Sequence, residues 1–322
     1  MKYKKLIILC KGDSVTGGSE LVHQLCHELS YLKLDSYICY YPFDKTYEIP
    51  NEYSIYNAKK ISLIDHPDNL IILPEVATRY AFNISKSKIG IWWLSVDNYY
   101  RSKRDNPIKD KIKYLKDLVR LRLMPILFMK NYFHFVQSSY AHEHLKKFNL
   151  ISEFLSDYLN PVHFKEAETA KENIILYNPV KGKKITKNLI QNNKNFKFIP
   201  LENFSNKEVQ ELFNKAKLYI DFGNHPGKDR MPREAAMANC CIITGRKGSA
   251  GNDYDIPILN KYKFDDTSSI DNNSFKMLVE DIFSNFDMHL KNFINYKNSI
   301  ISEQATFQRQ VKDIFTNILH EK

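Results

Sequence analysis

A dense group of polar residues follows a predicted strand in the second half of the chain. The strand Leu218–Phe222 leads into a loop that reaches the predicted helix Pro232–Ala238. The loop and its borders supply an imidazole, two carboxylates and three cations, which are His225, Asp221, Asp229, Lys228, Arg230 and Arg233. An arginine can hold a phosphate through two parallel hydrogen bonds, and a carboxylate can accept hydrogen bonds from ribose hydroxyls. This composition predicts a pocket for a phosphorylated sugar.

A second candidate follows the predicted strand Asn173–Tyr177. The stretch 178–184 contains Lys181, Lys183 and Lys184 within four positions. Lysines at the end of a strand can hold a diphosphate by point charge. A solvated turn explains the same residues equally well, and both interpretations stay open at the level of sequence.

Glycine is scarce, and it is clustered. Eight of the ten glycines fall in residues 12–18 and 223–251. Gly17 and Gly18 open the first predicted helix, and Gly248 and Ser249 lie in a glycine-rich loop after the predicted strand Cys240–Thr244. Backbone N–H groups at such positions bind anions. Ordinary turn chemistry is the alternative explanation.

Three residues are candidates for acid–base or contact roles. Asp97 ends a strand-like run in the first half, and Glu75 follows the predicted strand Leu70–Leu73. Either carboxylate could act as a general base, although an aspartate at a strand end is more often a helix or turn cap. His225 lies in an Asn-His-Pro-Gly setting typical of a loop, so we expect it to contact sugar or phosphate rather than to lie in the core.

Strands and helices alternate on both sides of residues 157–171, which read as a linker. This rhythm is typical of parallel sheets covered by helices on both faces. It predicts an α/β protein with two doubly wound, Rossmann-like domains, 1–157 and 172–322, the second ending in helices. Ligands of such sheets bind at the carboxyl ends of strands, so we expect a site in the cleft between the domains.

Composition excludes several classes of protein. The 322 residues are 43 % hydrophobic and carry a net charge of +10, and five cysteines form no CxxC pair. No run approaches the roughly 18 apolar residues of a membrane span. The sequence therefore predicts a cytoplasmic protein with reduced thiols, and it argues against disulfide scaffolds, zinc ribbons and integral membrane proteins.

The basic charge is concentrated in residues 101–130, where ten lysines and arginines face three aspartates. Ile112, Leu115 and Val119 follow Ile108 at helical spacing, with lysines between them. Such a helix can lie on anionic lipid. Its apolar stripe can equally pack on its own domain. The segment matches no nucleic-acid-binding motif, so no nucleic-acid partner is expected.

Together these stretches resemble the GT-B glycosyltransferases. The Gly17-Gly18-Ser19-Glu20 opening is similar to the GGxE of many such enzymes, and Glu234-Ala235-Ala236-Met237-Ala238 resembles the helix of their nucleotide-sugar domain. The resemblance places Glu234 as the second glutamate of an E-x7-E motif, which binds the donor ribose. The first glutamate would fall at Pro226 and is not matched, which leaves Asp221 or Asp229 as substitutes.

The resemblance also implies the remaining donor contacts. Lys181 or Lys183 would face the diphosphate, with Arg230 or Arg233 sharing that role, and Gly17, Gly18, Asp229, Gly248 and Ser249 would complete the donor site. Enzymes of this kind generally need no bound metal, and we expect neither a metal nor a cofactor besides the nucleotide-sugar substrate.

The function implied is transfer of a sugar from a nucleotide-sugar to a glycan or lipid-linked glycan in bacterial surface polysaccharide assembly, such as lipopolysaccharide or capsule. The enzyme would be cytoplasmic or peripheral on the inner membrane. A sugar-nucleotide epimerase of the same architecture is an alternative. A non-catalytic protein that binds lipid or nucleic-acid surfaces is another.

Overall fold

The computed structural model describes residues 3–100, 107–160, 164, 169–266 and 270–320. The chain forms two compact units, Met1–Tyr158 with Gln304–Lys322, and Leu159–Glu303. These are called unit 1 and unit 2. Among the described residues, no helix has both the length and the apolar character that crossing a membrane requires.

Unit 1 contains a six-stranded parallel sheet in the order β2-β1-β3-β4-β5-β6. Its strands are β1 (Lys5–Lys11), β2 (Ser36–Tyr41), β3 (Asn69–Pro74), β4 (Lys88–Trp93), β5 (Phe133–Val136) and β6 (Glu153–Phe154). The continuous apolar runs of β1 and β3 are buried on both faces, as expected of parallel strands covered by helices on each side. The apolar runs 6–10, 36–41, 70–73, 89–94 and 133–136 predict the first five of these strands, whereas β6, which has only two residues, was not predicted.

Among the described residues, the α-helices that cover this sheet are α1 (Gly17–Tyr31), α2 (Val96–Tyr99), α3 (Pro107–Val119), α4 (Ser139–Lys146) and α11 (Glu303–His320). The sequence predicted that residues 172–322 form the second domain. From Gln304 onward, however, α11 belongs to unit 1. Phe307, Val311 and Phe315 are buried in the same core as Leu25 of α1, so this helix covers one face of the first sheet. Hydrophobic burial, which the chain order does not reveal, decides where the last helix belongs.

Unit 2 contains a four-stranded parallel sheet in the order β10-β9-β7-β8. Its strands are β7 (Glu172–Tyr177), β8 (Lys197–Pro200), β9 (Ala216–Asp221) and β10 (Cys241–Thr244). Its helices are α5 (Lys183–Asn192), α6 (Asn206–Lys215), α7 (Arg230–Met237), α8 (Asn272–Ser284), α9 (Phe286–Lys291) and α10 (Ile294–Ile301). The N-cap residue of α6 is Ser205, which forms a capping box with Glu208.

A half-buried lysine binds the carboxyl ends of two helices of unit 2. The Nζ atom of Lys171 donates to the carbonyl oxygens of Phe213 at 2.8 Å, Ala216 at 3.0 Å and Ala238 at 2.6 Å. These carbonyls lie at the ends of α6 and α7, where helical partners are missing. Burial lowers the pKa of Lys171. The predicted linker 157–171 thus ends in a structural residue, and part of that linker lies outside the described residues.

Candidate active site

The candidate site lies at the carboxyl edge of the sheet of unit 2. β7, β9 and β10 are adjacent and parallel, with Tyr177 opposite Ile220 and Thr244 opposite Asp221. Their carboxyl ends therefore reach the same edge, and the loops that follow them meet there. These loops, with the first turns of the helices α5 and α7 that follow two of them, contain most of the residues that the sequence selected as donor ligands.

Four charged or polar side chains form a network at this edge, and we call Lys181, Asp221, His225 and Asp229 the β9 cluster. Asp221 and His225 are buried, and Lys181 and Asp229 are half-buried. The Nζ atom of Lys181 contacts Oδ2 of Asp221 at 3.3 Å and makes a short contact with Oδ2 of Asp229. The Tyr219 hydroxyl donates to the same Asp221 oxygen at 3.0 Å. Since Lys181 neutralises two carboxylates of its own unit, its charge serves the fold as well as any ligand.

His225 has no exposed surface, so the expectation that it contacts a ligand instead of lying in the core is wrong. Its Nδ1 lies 2.8 Å from Oδ2 of Asp229, and its Nε2 lies 3.1 Å from the carbonyl oxygen of Asp221. The Asn-His-Pro-Gly sequence is typical of a loop, but in the structure the backbone of His225 pairs with the loop 245–251 and its imidazole contacts Asp221 and Asp229. His225 is therefore a positioning residue for Asp229.

The network shifts the protonation equilibria of its members. Burial and the Lys181 charge act to lower the pKa of His225, but the carboxylates of Asp221 and Asp229 outweigh them and raise it. Burial acts to raise the pKa of Asp229, yet Lys181 and His225 hold it far below the usual value for an aspartate. The pKa of Lys181 is raised by the same two carboxylates despite its burial. Each charge is stabilised by its neighbours.

The β9 cluster also has the chemical make-up of a metal site. Asp221, His225 and Asp229 place one ligand atom each within 4.8 Å of one another. However, the ammonium group of Lys181 already lies against both carboxylates. A divalent ion would have to displace that lysine, so these residues fit a resident metal poorly.

Some buried acceptors at this edge have no hydrogen-bond partner among the described residues. They are Oδ1 of Asp221, Oδ1 of Asn224 and Oγ1 of Thr244. Buried polar atoms are rarely left unsatisfied, so a water molecule or a ligand hydroxyl would complete them.

The first turn of α7 carries two ion pairs. Arg230 contacts Glu234 through Nη2 at 2.9 Å and through Nε at 3.2 Å. Arg233 is 1 % exposed, and its Nη1 donates to Oε2 of Glu303 at 2.8 Å. Glu303 also binds Nζ of Lys228 at 2.7 Å. The prediction that Arg233 binds a diphosphate does not match this burial, whereas Arg230 and Glu234 retain partial exposure.

Lys183 differs from its neighbour Lys181. It is the first residue of α5 and is exposed to solvent, and no ion pair involves it within the described parts of the chain. The preceding Gly182 adopts a left-handed conformation with φ of 54°, and a Cβ there would overlap the backbone of Phe222. Lys183 therefore combines an exposed positive charge with a helix N-terminus, and both favour binding of an anion.

Gly248 and Ser249 fix the loop around His225. The backbone N–H of Ser249 donates to the carbonyl oxygen of His225 at 2.9 Å, and its Oγ donates to the carbonyl oxygen of Gly227 at 2.5 Å. A Cβ on Gly248, whose φ is 68°, would lie 1.9 Å from the carbonyl oxygen of His225. Gly248 and Ser249 were predicted as donor ligands. The contacts that the structure shows for them hold the loop around His225 in place.

Sequence reasoning missed Asp266, which organises the same loops. Its carboxylate accepts hydrogen bonds from the backbone N–H groups of Gly223 at 2.7 Å, Arg246 at 2.7 Å and Lys247 at 2.9 Å. No motif marks it, because its partners lie 19 to 43 residues away along the chain.

In unit 1 the predicted residues also gather at the carboxyl edge of a sheet. Gly17 and Gly18 open α1, and the side chain of Thr16 caps this helix by accepting from the N–H of Ser19. Gly18 is exposed, and a Cβ there would meet only Leu94, at an ordinary distance of 3.8 Å. Packing of unit 1 therefore does not require glycine at position 18.

Glu75 and Asp97 are both 2 % exposed or less. Oε2 of Glu75 accepts from the N–H of Leu94 at 3.0 Å, and burial raises the pKa of this carboxyl to about 8. Oδ1 of Asp97 accepts from the Tyr140 hydroxyl at 3.2 Å. The pKa of Glu75 lies in the range that a group exchanging protons near neutral pH needs.

Solved structures show which fold these units form. The chain is similar to sucrose-phosphate synthase from Thermosynechococcus elongatus, with a TM-score of 0.67, 10 % identity and coverage of 98 % of this chain and 99 % of that one. It is similar to a glycosyltransferase from Rickettsia africae with a TM-score of 0.66, 13 % identity and complete coverage of both chains.

A third similar structure is trehalose-6-phosphate synthase from E. coli bound with UDP-2-fluoro glucose, with a TM-score of 0.60, 8 % identity and 99 % coverage of both chains. No family model and no curated protein matches the sequence. The structural matches confirm the predicted fold, which is that of the GT-B glycosyltransferases.

Proposed function

We propose that this protein transfers a sugar from a nucleotide-sugar donor to a hydroxyl group of a glycan or lipid-linked glycan during bacterial surface polysaccharide assembly. The observation that supports this most is the likeness, over nearly the whole chain, to enzymes of which one is bound with UDP-2-fluoro glucose. Folds host many activities, so the residues at the carboxyl edges must supply the chemistry.

The donor site that we propose uses the exposed residues around the β9 cluster. Lys183, at the N-terminus of α5, would bind the diphosphate, where its charge stabilises the departing nucleoside diphosphate. Glu234 would accept hydrogen bonds from the ribose hydroxyls. Its contact with Arg230, 2.9 Å from Nη2, orients that carboxylate before the donor arrives.

The β9 cluster would hold the loops of this donor site in position. Lys181, His225 and Asp229 hold the loop 223–229 in place through buried contacts, and Gly182 lets that loop approach closely. Positioning of this kind is what a donor pocket needs if its ligands are to be fixed before reaction. We propose a reaction that needs no metal, since Lys181 occupies the place of a cation between Asp221 and Asp229.

Our candidates for a proton-transfer group lie in unit 1. Glu75 is our first candidate because its pKa of about 8 keeps proton uptake and release within reach near neutral pH. Asp97 is the second, held by Tyr140. Gly17 and Gly18 at the start of α1 would let a substrate approach the backbone closely.

The test begins with unfolding temperatures measured in UDP, GDP, CMP and ADP, each at millimolar concentration. A nucleotide present at about 100 times its Kd stabilises the folded protein by about 2.7 kcal/mol. The nucleotide identified in this way selects the nucleotide-sugars for assays of release and transfer with glycan and lipid-linked acceptors.

Variants of α7 connect this activity to the site. We expect Glu234→Gln to abolish both the nucleotide-dependent stabilisation and transfer, while Glu211→Gln on the exposed surface of α6 changes neither. Conversion of the nucleotide-sugar without any acceptor would identify an epimerase instead. No stabilisation by any nucleotide, together with no transfer, would overturn the proposal.

A further inference from the structure

The helix α3 turns its apolar stripe away from the unit that it belongs to. Ile108, Ile112, Leu115 and Val119 form this stripe, and they are between 48 % and 84 % exposed. The residues of α3 that pack on unit 1 are Tyr114 and Leu118, which contact the core on one face of the sheet. The interpretation that the stripe packs on its own domain is therefore wrong.

Helical geometry explains why α3 has both an exposed apolar stripe and a set of residues that pack on unit 1. At 3.6 residues per turn, positions 110, 114, 117 and 118 share one side of the helix, and positions 108, 112, 115 and 119 share the opposite side. The first set is buried or half-buried and includes Asp117, which is 3 % exposed. One side therefore attaches the helix, and the other presents four aliphatic side chains to solvent.

Basic side chains flank the exposed stripe. Lys113, Lys116 and Arg120 lie along one flank and Lys111 along the other, and all four are exposed. The acidic residues of this helix, Asp110 and Asp117, lie on the attached side. The outward surface consequently combines aliphatic groups with positive charge and no negative charge among the described residues of α3.

The chain after α3 continues the same composition. Leu121, Leu127 and Phe128 are 62 %, 59 % and 69 % exposed, and Lys130 is exposed as well. Arg122 is also exposed, but its Nη1 lies 3.8 Å from Oδ1 of Asp117, on the attached side of α3. We call the outward side of α3, together with Arg120, the α3 surface. Three further basic residues of the predicted segment 101–130, namely Arg101, Lys103 and Arg104, lie outside the described residues.

We propose that the α3 surface docks this protein on an anionic lipid bilayer. Aliphatic side chains flanked by lysines suit the boundary between acyl chains and anionic headgroups, because both the apolar and the basic groups find partners there. A nucleic acid would pair with the lysines and leave the stripe in water. A second copy of the chain would bring like charges together, so neither alternative matches both features.

The test measures sedimentation of the whole protein with vesicles, without donor or acceptor, so its result does not depend on the proposed glycosyl transfer. Vesicles of phosphatidylcholine alone are compared with vesicles that contain about one third phosphatidylglycerol. We expect binding to the anionic vesicles, weaker binding as salt is raised, and little binding to phosphatidylcholine alone.

Two triple variants separate the contributions. Lys111→Glu with Lys116→Glu and Arg120→Glu should lower the partition coefficient by about 100-fold or more, since each basic residue near an anionic surface contributes roughly fivefold. Its control, Lys187→Glu with Lys194→Glu and Lys207→Glu, makes the same charge change on exposed lysines of unit 2. The control should retain binding within a few-fold.

Ile112→Ser with Leu115→Ser and Val119→Ser removes the stripe, and we expect the loss of binding to persist at low salt. Its control, Met277→Ser with Met288→Ser and Ile301→Ser, removes apolar side chains of similar exposure from unit 2. Unchanged unfolding temperatures would show that the stripe variant is folded. If the stripe variant were unfolded, the charge variant alone would decide whether the α3 surface binds anionic vesicles.

Absence of binding to anionic vesicles, or binding that both α3 variants retain, would overturn the proposal. It would also be overturned if light scattering showed a dimer that the stripe variant dissociates. Binding to nucleic acid that the charge variant abolishes and the stripe variant leaves intact, without vesicle binding, would have the same consequence.

Discussion

Nη1 of Arg233 donates to Oε2 of Glu303 at 2.8 Å, and this contact joins the first turn of α7 to the first residue of α11. Both side chains are almost fully buried. Oε2 of Glu303 also accepts from the backbone N–H of Leu159, at 3.3 Å. The two places where the chain enters and leaves unit 2 are thus held by one carboxylate.

We therefore expect Glu303→Gln to lower the free energy of unfolding by about 3–5 kcal/mol, because it leaves the buried guanidinium of Arg233 without its carboxylate partner. Arg233→Met should lower it by less, because Lys228 still pairs with Glu303. The double variant should lose clearly less free energy of unfolding than the two single variants lose together. Urea unfolding of all four proteins measures the coupling. The exposed pair Lys276 and Glu280, treated in the same way, should show no more than about 0.5 kcal/mol of coupling, and equal coupling in both pairs would contradict this view.

The two lysines beside α5 should separate stability from binding. Lys181→Met leaves Asp221 and Asp229 without their shared cation, so we expect a loss of about 3–5 kcal/mol of stability. Lys183→Met should change stability by less than about 0.5 kcal/mol, as for most exposed sites. Nucleotide binding by calorimetry should nevertheless weaken in Lys183→Met. Unaltered binding in that variant would remove Lys183 from the donor site.

Two glycines give a similar contrast. Gly248→Ala should destabilise unit 2, since its φ of 68° and the close carbonyl oxygen of His225 exclude a side chain. Gly18→Ala has room for its methyl group and should fold with equal or slightly higher stability, because alanine favours helices over glycine by up to about 1 kcal/mol. If a substrate approaches α1 closely, Gly18→Ala will still lose transfer activity, which steady-state assays measure. Full activity would show that glycine is dispensable there.

The buried carboxyl of Glu75 makes a prediction about pH. Its pKa is about 8 in the folded protein, above the value of 4.5 for an ordinary glutamate, so the folded state holds this proton more tightly than the unfolded state. The stabilisation that this proton provides is fully present below about pH 4.5 and disappears as the pH rises through 8.

We therefore expect Glu75→Gln to have similar stability to the parent near pH 5 and to become the more stable protein near pH 9. The difference should grow by about 1.4 kcal/mol per pH unit between the two pKa values. Urea unfolding at several pH values measures it, with the exposed Glu202→Gln as the control. A pH-independent difference would mean that Glu75 titrates normally.

The sequence by itself determined the alternation of strands and helices, and through it the fold. Apolar runs such as Leu6–Cys10 and the glycines that open α1 are local patterns, and the period of the side chains specifies each element without knowledge of its neighbours. The same patterns placed the candidate residues at the carboxyl ends of strands, where the structure finds them.

Only the tertiary structure decided the partners of those residues. Lys181 meets Asp229 across 48 residues, Arg233 meets Glu303 across 70, and Asp266 meets Gly223 across 43. Contacts over such separations depend on how the sheet brings loops together, and no local pattern encodes that. The direction of the α3 stripe was open for the same reason: its spacing predicted an amphipathic helix, but packing through Tyr114 and Leu118 determined that the aliphatic side faces solvent.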